Sequence, residues 1–183
     1  MRLVTLSSNE VHVWVADLSG DRWSPSVLRR VLSSYLGQDQ RQIELVVEEN
    51  GKPRLAGDSD LEFNLSHSGG RALIAVSRQR RVGVDVEKEK VGRDLLGLSK
   101  RALAAEDASA VRAAAPSDRG AVFYAAWVRH EARLKCLGAG LFGPVPESPM
   151  VVQEVDVGPD YAAAVAVAGA EAVRLRLQTL PPD

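Results

Sequence analysis

The chain has 183 residues, of which 45% are hydrophobic and 26% are charged, and its formal net charge is −1 at pH 7. These values are typical of a globular protein with one domain or two small halves, and they provide no overall attraction to nucleic acid or to a membrane surface. The single cysteine, Cys136, excludes an internal disulfide and a multi-cysteine metal site. Neither a spanning helix nor a signal peptide is indicated, so a cytoplasmic location is expected.

The first part of the chain predicts one helix among several strands. Ser24 and Pro25 are suited to the N-cap and first position of that helix, and Gly37 is suited to end it. Strands are predicted at residues 11–17, 43–48, 61–65 and 72–77. Asn50 and Gly51 mark a hairpin turn, and residues 66–70 predict a second turn.

The second part continues with a strand, two helical regions and further strands. A helix is predicted over residues 93–115 with an interruption near 105–107, and a longer helix follows Pro116 and ends near Gly138. Strands are predicted at residues 82–86, 150–157, 161–167 and 172–177. Both parts run from helix to strands, so the sequence predicts an α+β fold with duplicated halves.

Two short segments carry the charged residues of chemical interest. If residues 82–86 form a strand that continues to Glu87, Asp85 and Glu87 point to one face and the valines between them to the other. Glu131 and Lys135 are four residues apart on the long helix and share a face. Three carboxylates and an ammonium brought together would suit Mg²⁺ bound to a phosphate ester.

Each of these features also has a purely structural interpretation. Asp-Val-Glu can be the exposed face of a strand, and Glu131 with Lys135 can be a helix salt bridge worth only about 0.3–0.5 kcal/mol. Lys52 follows a hairpin turn in which most lysines are solvated, and a lone histidine such as His67 is often a surface residue.

The order of the motifs along the chain favours the chemical interpretation. Gly-Lys-Pro is followed by Phe-Asn-Leu-Ser-His-Ser, then Gly-Val-Asp-Val-Glu, then Phe-Tyr-x-x-Trp-x-x-x-Glu-Ala-x-x-Lys-x-x-Gly-x-Gly-Leu. In this order the chain resembles the 4′-phosphopantetheinyl transferases of the surfactin-synthetase-activating type, continuously from about Val27 to Leu141. The resemblance implies two similar α+β halves in one chain, residues 1–79 and 80–183, packed pseudo-symmetrically with the active site between them. It also implies a monomer.

The resemblance further implies Mg²⁺-dependent transfer of the 4′-phosphopantetheine arm of coenzyme A to a serine of an apo acyl or peptidyl carrier protein. Adenosine 3′,5′-bisphosphate would be released. By position, Asp85, Glu87 and Glu131 correspond to metal ligands, with Glu131 also the general base. Lys135 corresponds to the lysine that contacts the pyrophosphate. Coenzyme A would be held by Lys52, Ser66 and His67, with His67 near its 3′-phosphate.

Two departures from the family pattern predict weaker binding of coenzyme A. A segment rich in Arg and Lys usually precedes the first helix, whereas here Leu18–Trp23 joins strand and helix almost directly, leaving Arg22, with Arg29 or Arg30, as substitutes. The residue before the helix glutamate is usually lysine, and here it is His130. A non-catalytic relative that binds carrier protein or coenzyme A is therefore the competing hypothesis.

Overall fold

The computed structural model describes residues 3–18, 25–48, 51–139 and 148–181, and this part of the chain contains four α-helices, one short 3₁₀ helix (Gln40–Gln42) and nine strands. The helices are α1 (Pro25–Leu36), α2 (Leu95–Ala102), α3 (Ala105–Ala113) and α4 (Arg119–Leu137). The strands are β1 (Glu10–Asp17), β2 (Leu45–Val47), β3 (Pro53–Leu55), β4 (Leu61–Ser68), β5 (Arg71–Arg78), β6 (Val82–Lys88), β7 (Met150–Glu154), β8 (Tyr161–Ala168) and β9 (Arg174–Thr179). The predicted α+β class is confirmed. Within the described ranges, no helix is long and apolar enough to cross a bilayer.

The strands form two main sheets and one small hairpin. The first sheet has the order β4-β5-β1-β9, the second has the order β6-β8-β7, and β2 pairs with β3. All pairings are antiparallel except that of β1 with β9. Apart from the β2–β3 hairpin and β9, each half has one strand, then helix, then two strands. The second of those two strands pairs with both others: β5 pairs with β4 and β1, and β8 pairs with β6 and β7. Packing of the halves by pseudo-symmetry, and their division after residue 79, stay predictions; β9 comes from the second half and completes the sheet of the first.

Burial of apolar faces arranges the elements in four layers. Helix α1 packs on one face of the first sheet, the other face of that sheet packs on the second sheet, and α4 covers the remaining face of the second sheet. Representative buried side chains of the three interfaces are Leu32 with Phe63, Val13 with Val84, and Val128 with Ala164. Removal of this apolar surface from water is the main stabilising contribution, at roughly 25 cal/mol per Å².

The ends of the helices follow the sequence signals. Helix α1 begins at Pro25, and Gly37, with φ 67°, follows its last residue. Helix α4 is capped by Gly138 in the left-handed conformation at φ 70°, which accounts for the glycine. The break between α2 and α3 lies at Leu103 and Ala104, just before the predicted interruption.

The predicted turn at residues 66–70 is wrong in its first three residues. Strand β4 continues through Ser68, which pairs with Arg71 of β5, so only Gly69 and Gly70 form the turn. The hydroxyls of Ser66 and Ser68 bond to β6 rather than to their own backbone. This removes the local hydrogen bonding through which serine usually favours a turn.

Candidate active site

A close approach of α4 to β6 creates the site. A Cβ atom added at Gly83 would lie 2.1 Å from the backbone oxygen of Ala132 and 2.3 Å from the backbone nitrogen of Cys136. Only glycine fits there, because any side chain would force helix and strand apart. The contact brings Glu131 and Lys135 of the helix over the carboxylates that follow Gly83 on β6.

Asp85, Lys135 and Ser66 form the centre of the site. The Lys135 ammonium donates to Asp85 Oδ1 at 2.6 Å and to Ser66 Oγ at 2.9 Å. The Ser66 hydroxyl donates to the same Asp85 oxygen at 2.8 Å. Asp85 is only 4% exposed, and this burial raises its pKa although Lys135 opposes the effect. Lys135 therefore pairs with Asp85 across the interface of helix and strand, rather than acting as a simple ion pair along its own helix.

Glu131 is the second buried carboxylate. Its side chain is 5% exposed. Burial, reinforced by the negative charges of Asp85 and Glu87 and opposed by Lys135, raises the pKa of Glu131 from its usual 4.5 to about 7. A carboxylate with a pKa near neutrality can both release and accept a proton at physiological pH, as a general base must.

Glu87 borders the same cluster. It accepts a hydrogen bond of 2.8 Å from the Ser68 hydroxyl at Oε2. Its charge contributes to the raised pKa values of both Asp85 and Glu131.

The carboxylates fit a divalent cation by chemistry, but they do not yet form a coordination shell. Within the described residues, no group of three His, Cys, Asp or Glu side chains is placed to hold a metal ion. Asp85 Oδ2 and Glu131 Oε1 are nevertheless buried, and neither has a hydrogen-bond partner among the residues that the structure describes. Buried carboxylate oxygens without donors are costly, and hard oxygens are the ligands that Mg²⁺ prefers. The residues therefore suit Mg²⁺, and the predicted metal role of Asp85, Glu87 and Glu131 stays a prediction.

Lys52 makes contacts that sequence reasoning did not foresee. It is 9% exposed, and its ammonium donates to the backbone oxygens of Val82 at 3.0 Å and Lys135 at 3.2 Å. Burial, with the nearby charge of Arg81, lowers its pKa. Lys52 thus holds the end of α4 against the start of β6, besides its predicted role toward coenzyme A.

A cavity of about 380 Å³ opens beside this cluster. Its wall includes Lys52 and Asn64 from the first half and Glu131, Lys135 and Gly138 from the second. The cavity is therefore bordered by the predicted base and by the lysine predicted to contact the pyrophosphate.

One predicted binding residue, His67, is not brought to the cluster. His67 lies between Ser66 and Ser68 on β4, so it points to the opposite face of the strand, where it is exposed. Arg22 lies outside the described residues. Of the suggested substitutes, Arg29 donates to the Ile43 oxygen at 3.4 Å and Arg30 to the Pro181 oxygen at 2.8 Å.

Three residues of the site were missed as individual contributors. Gly83 permits the approach of α4, Asn64 accepts the Val84 N–H at 2.9 Å, and Ser68 binds Glu87. The signal for Asn64 and Ser68 was their alternation with Ser66, which places the three side chains on one face once residues 66–68 are recognised as strand.

Sequence comparisons match the chain to known transferases. A family model described as the 4′-phosphopantetheinyl transferase superfamily matches residues 81–166, which include the four residues of the acid and lysine cluster on β6 and α4. The chain is 30% identical to 4′-phosphopantetheinyl transferase HetI of Nostoc sp. (strain PCC 7120), over 91% of this chain and 91% of that protein. The chain belongs to the 4′-phosphopantetheinyl transferase superfamily. It is also 28% identical to 4′-phosphopantetheinyl transferase Sfp of Bacillus subtilis (strain 168), over 78% of this chain and 70% of that protein.

Membership of the superfamily confirms the resemblance recognised in the sequence and identifies the chain as a transferase. The matched segment begins at Arg81 and ends in β8, so it contains the whole of α4 and β6.

Proposed function

We propose that this superfamily member transfers the 4′-phosphopantetheine arm of coenzyme A to a serine hydroxyl of an apo acyl or peptidyl carrier protein. In the reaction, the serine oxygen forms a bond to the phosphorus that bears the pantetheine arm. The pyrophosphate bond of coenzyme A breaks, and adenosine 3′,5′-bisphosphate leaves. We further propose that the protein acts as a cytoplasmic monomer. The observation that supports the reaction best is the cluster of Asp85, Glu131 and Lys135 beside a cavity, in a chain of this family.

Glu131 is the proposed general base. A serine hydroxyl is a weak nucleophile until its proton is removed. Without a bound cation, a pKa of about 7 leaves Glu131 partly ionised at neutral pH and basic enough to take that proton. Its buried position, at 5% exposure, keeps the carboxylate poorly solvated and hence more ready to accept the proton.

Lys135 is the proposed partner of the pyrophosphate. The two hydrogen bonds to Asp85 and Ser66 use two of the three ammonium hydrogens, so one remains for an anion. As the pyrophosphate bond breaks, negative charge develops on the leaving bisphosphate. A lysine held in place before the reaction stabilises that charge without reorganisation.

Asp85, Glu87 and Glu131 would hold Mg²⁺, and the orphaned oxygens of Asp85 and Glu131 support this assignment. When bound, the cation neutralises and polarises the pyrophosphate oxygens. Asp85 is already fixed by two donors on Oδ1, which leaves Oδ2 as its available ligand atom.

Coenzyme A is proposed to lie in the cavity of about 380 Å³. Lys52 lines this cavity, and Ser66 lies beside it in the cluster. The proposed contact of His67 with the 3′-phosphate would require that phosphate to extend over the outer face of β4. Arg22 is the proposed additional cation for it.

The experiment is to incubate the protein with coenzyme A, Mg²⁺ and an apo carrier protein, and to weigh the carrier by mass spectrometry. Carriers from fatty-acid, polyketide and peptide-synthetase systems should be compared. A gain of one phosphopantetheinyl group, lost in chelator, is the expected result. If coenzyme A binds but no tested carrier gains mass, the competing hypothesis of a non-catalytic binding protein is favoured.

A further inference from the structure

Strands β4 and β6 are joined by side chains rather than by a backbone ladder. The two strands belong to different sheets and different halves of the chain. At three alternating positions of β4, residues 64, 66 and 68, a side-chain oxygen accepts a backbone N–H of β6. The three pairs are Asn64 with Val84 at 2.9 Å, Ser66 with Val86 at 3.4 Å, and Ser68 with Lys88 at 3.1 Å. Each pair is separated by twenty residues, so one constant register runs along the whole contact.

The two serines in this contact between β4 and β6 also form hydrogen bonds with the two carboxylates of β6. Ser66 donates to Asp85 Oδ1 and Ser68 donates to Glu87 Oε2, both at 2.8 Å. A hydroxyl has a single proton to donate. Each serine hydroxyl donates its proton to a carboxylate and accepts a hydrogen bond from a β6 N–H, and these two bonds fix its position. The orientation of each carboxylate is fixed in turn.

The hydrogen bonds to Asp85 reach only one of its two carboxylate oxygens, which favours a role for the serines beyond joining the two halves. The Ser66 hydroxyl and the Lys135 ammonium both donate to Asp85 Oδ1, while Oδ2 is buried and receives no hydrogen bond from the described part of the chain. A joint that served only stability would gain from satisfying the second oxygen as well, because an unpaired buried acceptor is costly. Groups that fix ligand carboxylates through hydrogen bonds are typical of metal sites.

We propose that Ser68 is a positioning residue that acts with Ser66: the two hydroxyls of the first half orient Glu87 and Asp85 of the second half toward a divalent cation. The metal site is thus assembled by contact between the halves, although all its carboxylates come from the second. This inference rests on the proposed function, because it takes Asp85 and Glu87 as metal ligands.

The test is direct metal binding by the full chain with Mn²⁺ in place of Mg²⁺, followed through the electron paramagnetic resonance signal of free Mn²⁺. Titrations are made without carrier protein, with and without coenzyme A. In Ser68→Ala, affinity for Mn²⁺ should fall by about tenfold or more, as for other residues that orient metal ligands. Ser68→Thr keeps the hydroxyl on a residue that suits a strand, and should bind within about threefold of the parent.

Ser77→Ala is the matched control. Ser77 is a buried serine of β5 whose hydroxyl donates to the Arg80 oxygen, away from the carboxylates. Its replacement should leave Mn²⁺ affinity unchanged. In transfer assays, Ser68→Ala should raise the Mg²⁺ concentration for half-maximal rate, while the KM for coenzyme A at saturating Mg²⁺ stays that of the parent.

The outcomes separate this inference from the function on which it rests. If the parent shows no saturable Mn²⁺ binding, with or without coenzyme A, the proposed metal site and this inference both fail. If the parent binds Mn²⁺ and Ser68→Ala binds it equally well, only the positioning role fails. Equal losses in Ser68→Ala and Ser68→Thr, or in Ser77→Ala, would attribute the effect to packing and also overturn the proposal.

Discussion

Replacement of Glu131 by glutamine provides a quantitative test of the electrostatics of the site. Burial and the neighbouring carboxylates raise the pKa of Glu131 from 4.5 to about 7. Between these two pH values, the folded protein keeps a proton that the unfolded chain has released, so its stability falls as the pH rises through this window. The full change corresponds to about 3 kcal/mol, since one pH unit is worth about 1.36 kcal/mol.

Glu131→Gln keeps the shape of the side chain and cannot ionise. Relative to the parent, the variant should therefore gain about 3 kcal/mol of unfolding free energy between pH 4.5 and pH 8. Because Asp85 repels the same charge, the difference reports the coupled pair rather than Glu131 alone. Taking the difference between parent and variant also cancels the contributions of other titrating groups, such as His12 and His130, whose pKa values are lowered by burial.

The assay is urea unfolding at several pH values from 4.5 to 8 in the presence of chelator. Glu106→Gln, at an exposed position of α3, is the control and should leave the difference from the parent constant. Added Mg²⁺ should stabilise the parent more than Glu131→Gln, because a ligand of the folded state stabilises it by mass action. A difference between parent and Glu131→Gln that does not change with pH would refute the interpretation of Glu131 as a buried carboxylate repelled by its neighbours.

Three substitutions and one comparison of ligands test the other proposed roles in the site. Asp85→Ala should nearly abolish transfer to the carrier while circular dichroism remains that of the parent; full activity would remove Asp85 from the site. Lys135→Ala should lower turnover by on the order of a hundredfold or more, because it loses stabilisation of the leaving group; unchanged kinetics would leave Lys135 only a structural role. Gly83→Ala should destabilise the fold by about 1–3 kcal/mol through the clash with α4, and should lower activity as well; a thermal melt equal to that of the parent would show that α4 can yield. Coenzyme A should bind no more than about tenfold tighter than dephospho-coenzyme A, a difference of about 1.4 kcal/mol, given the short segment before α1; stronger discrimination that survives Arg22→Ala would mean that other residues hold the 3′-phosphate.

The sequence predicted the elements of the site better than their contacts. The alternation of Asp85 and Glu87 with valines identified β6, and the spacing of Glu131 and Lys135 identified one face of α4. Both signals are local periodicities, which a sequence displays directly. The fold class and the end of α4 at Gly138 followed from the same kind of information.

The pairing across elements could not be predicted in the same way. The helix spacing indicates that Lys135 is near Glu131, but the ion pair of Lys135 is with Asp85, on a strand fifty residues earlier. The contact exists because Gly83 admits α4 onto β6, and no periodicity encodes that packing. Likewise, Ser66 and Ser68 resemble turn residues in sequence, and only tertiary bonds to β6 keep them in a strand.

The basic run at residues 78–81 illustrates the same limit. From sequence alone, this run could compensate for the missing basic segment in binding coenzyme A, or it could be a solvated turn, and the turn is the favoured prediction. In the structure, Arg78 pairs with Asp60 at 2.5 Å, and Arg80 donates to the backbone oxygens of Ala168 and Glu171 at 2.6 and 3.0 Å. These contacts favour the turn, and those of Arg80 are to residues 88 and 91 positions away in the sequence.

The most direct test of the account is a crystal structure with coenzyme A and Mn²⁺, examined by anomalous diffraction at the manganese edge. We expect one anomalous peak bordered by Asp85, Glu87 and Glu131, with the pyrophosphate of coenzyme A between that peak and the Lys135 ammonium. An anomalous peak elsewhere, or coenzyme A bound away from the cavity beside Glu131 and Lys135, would contradict it.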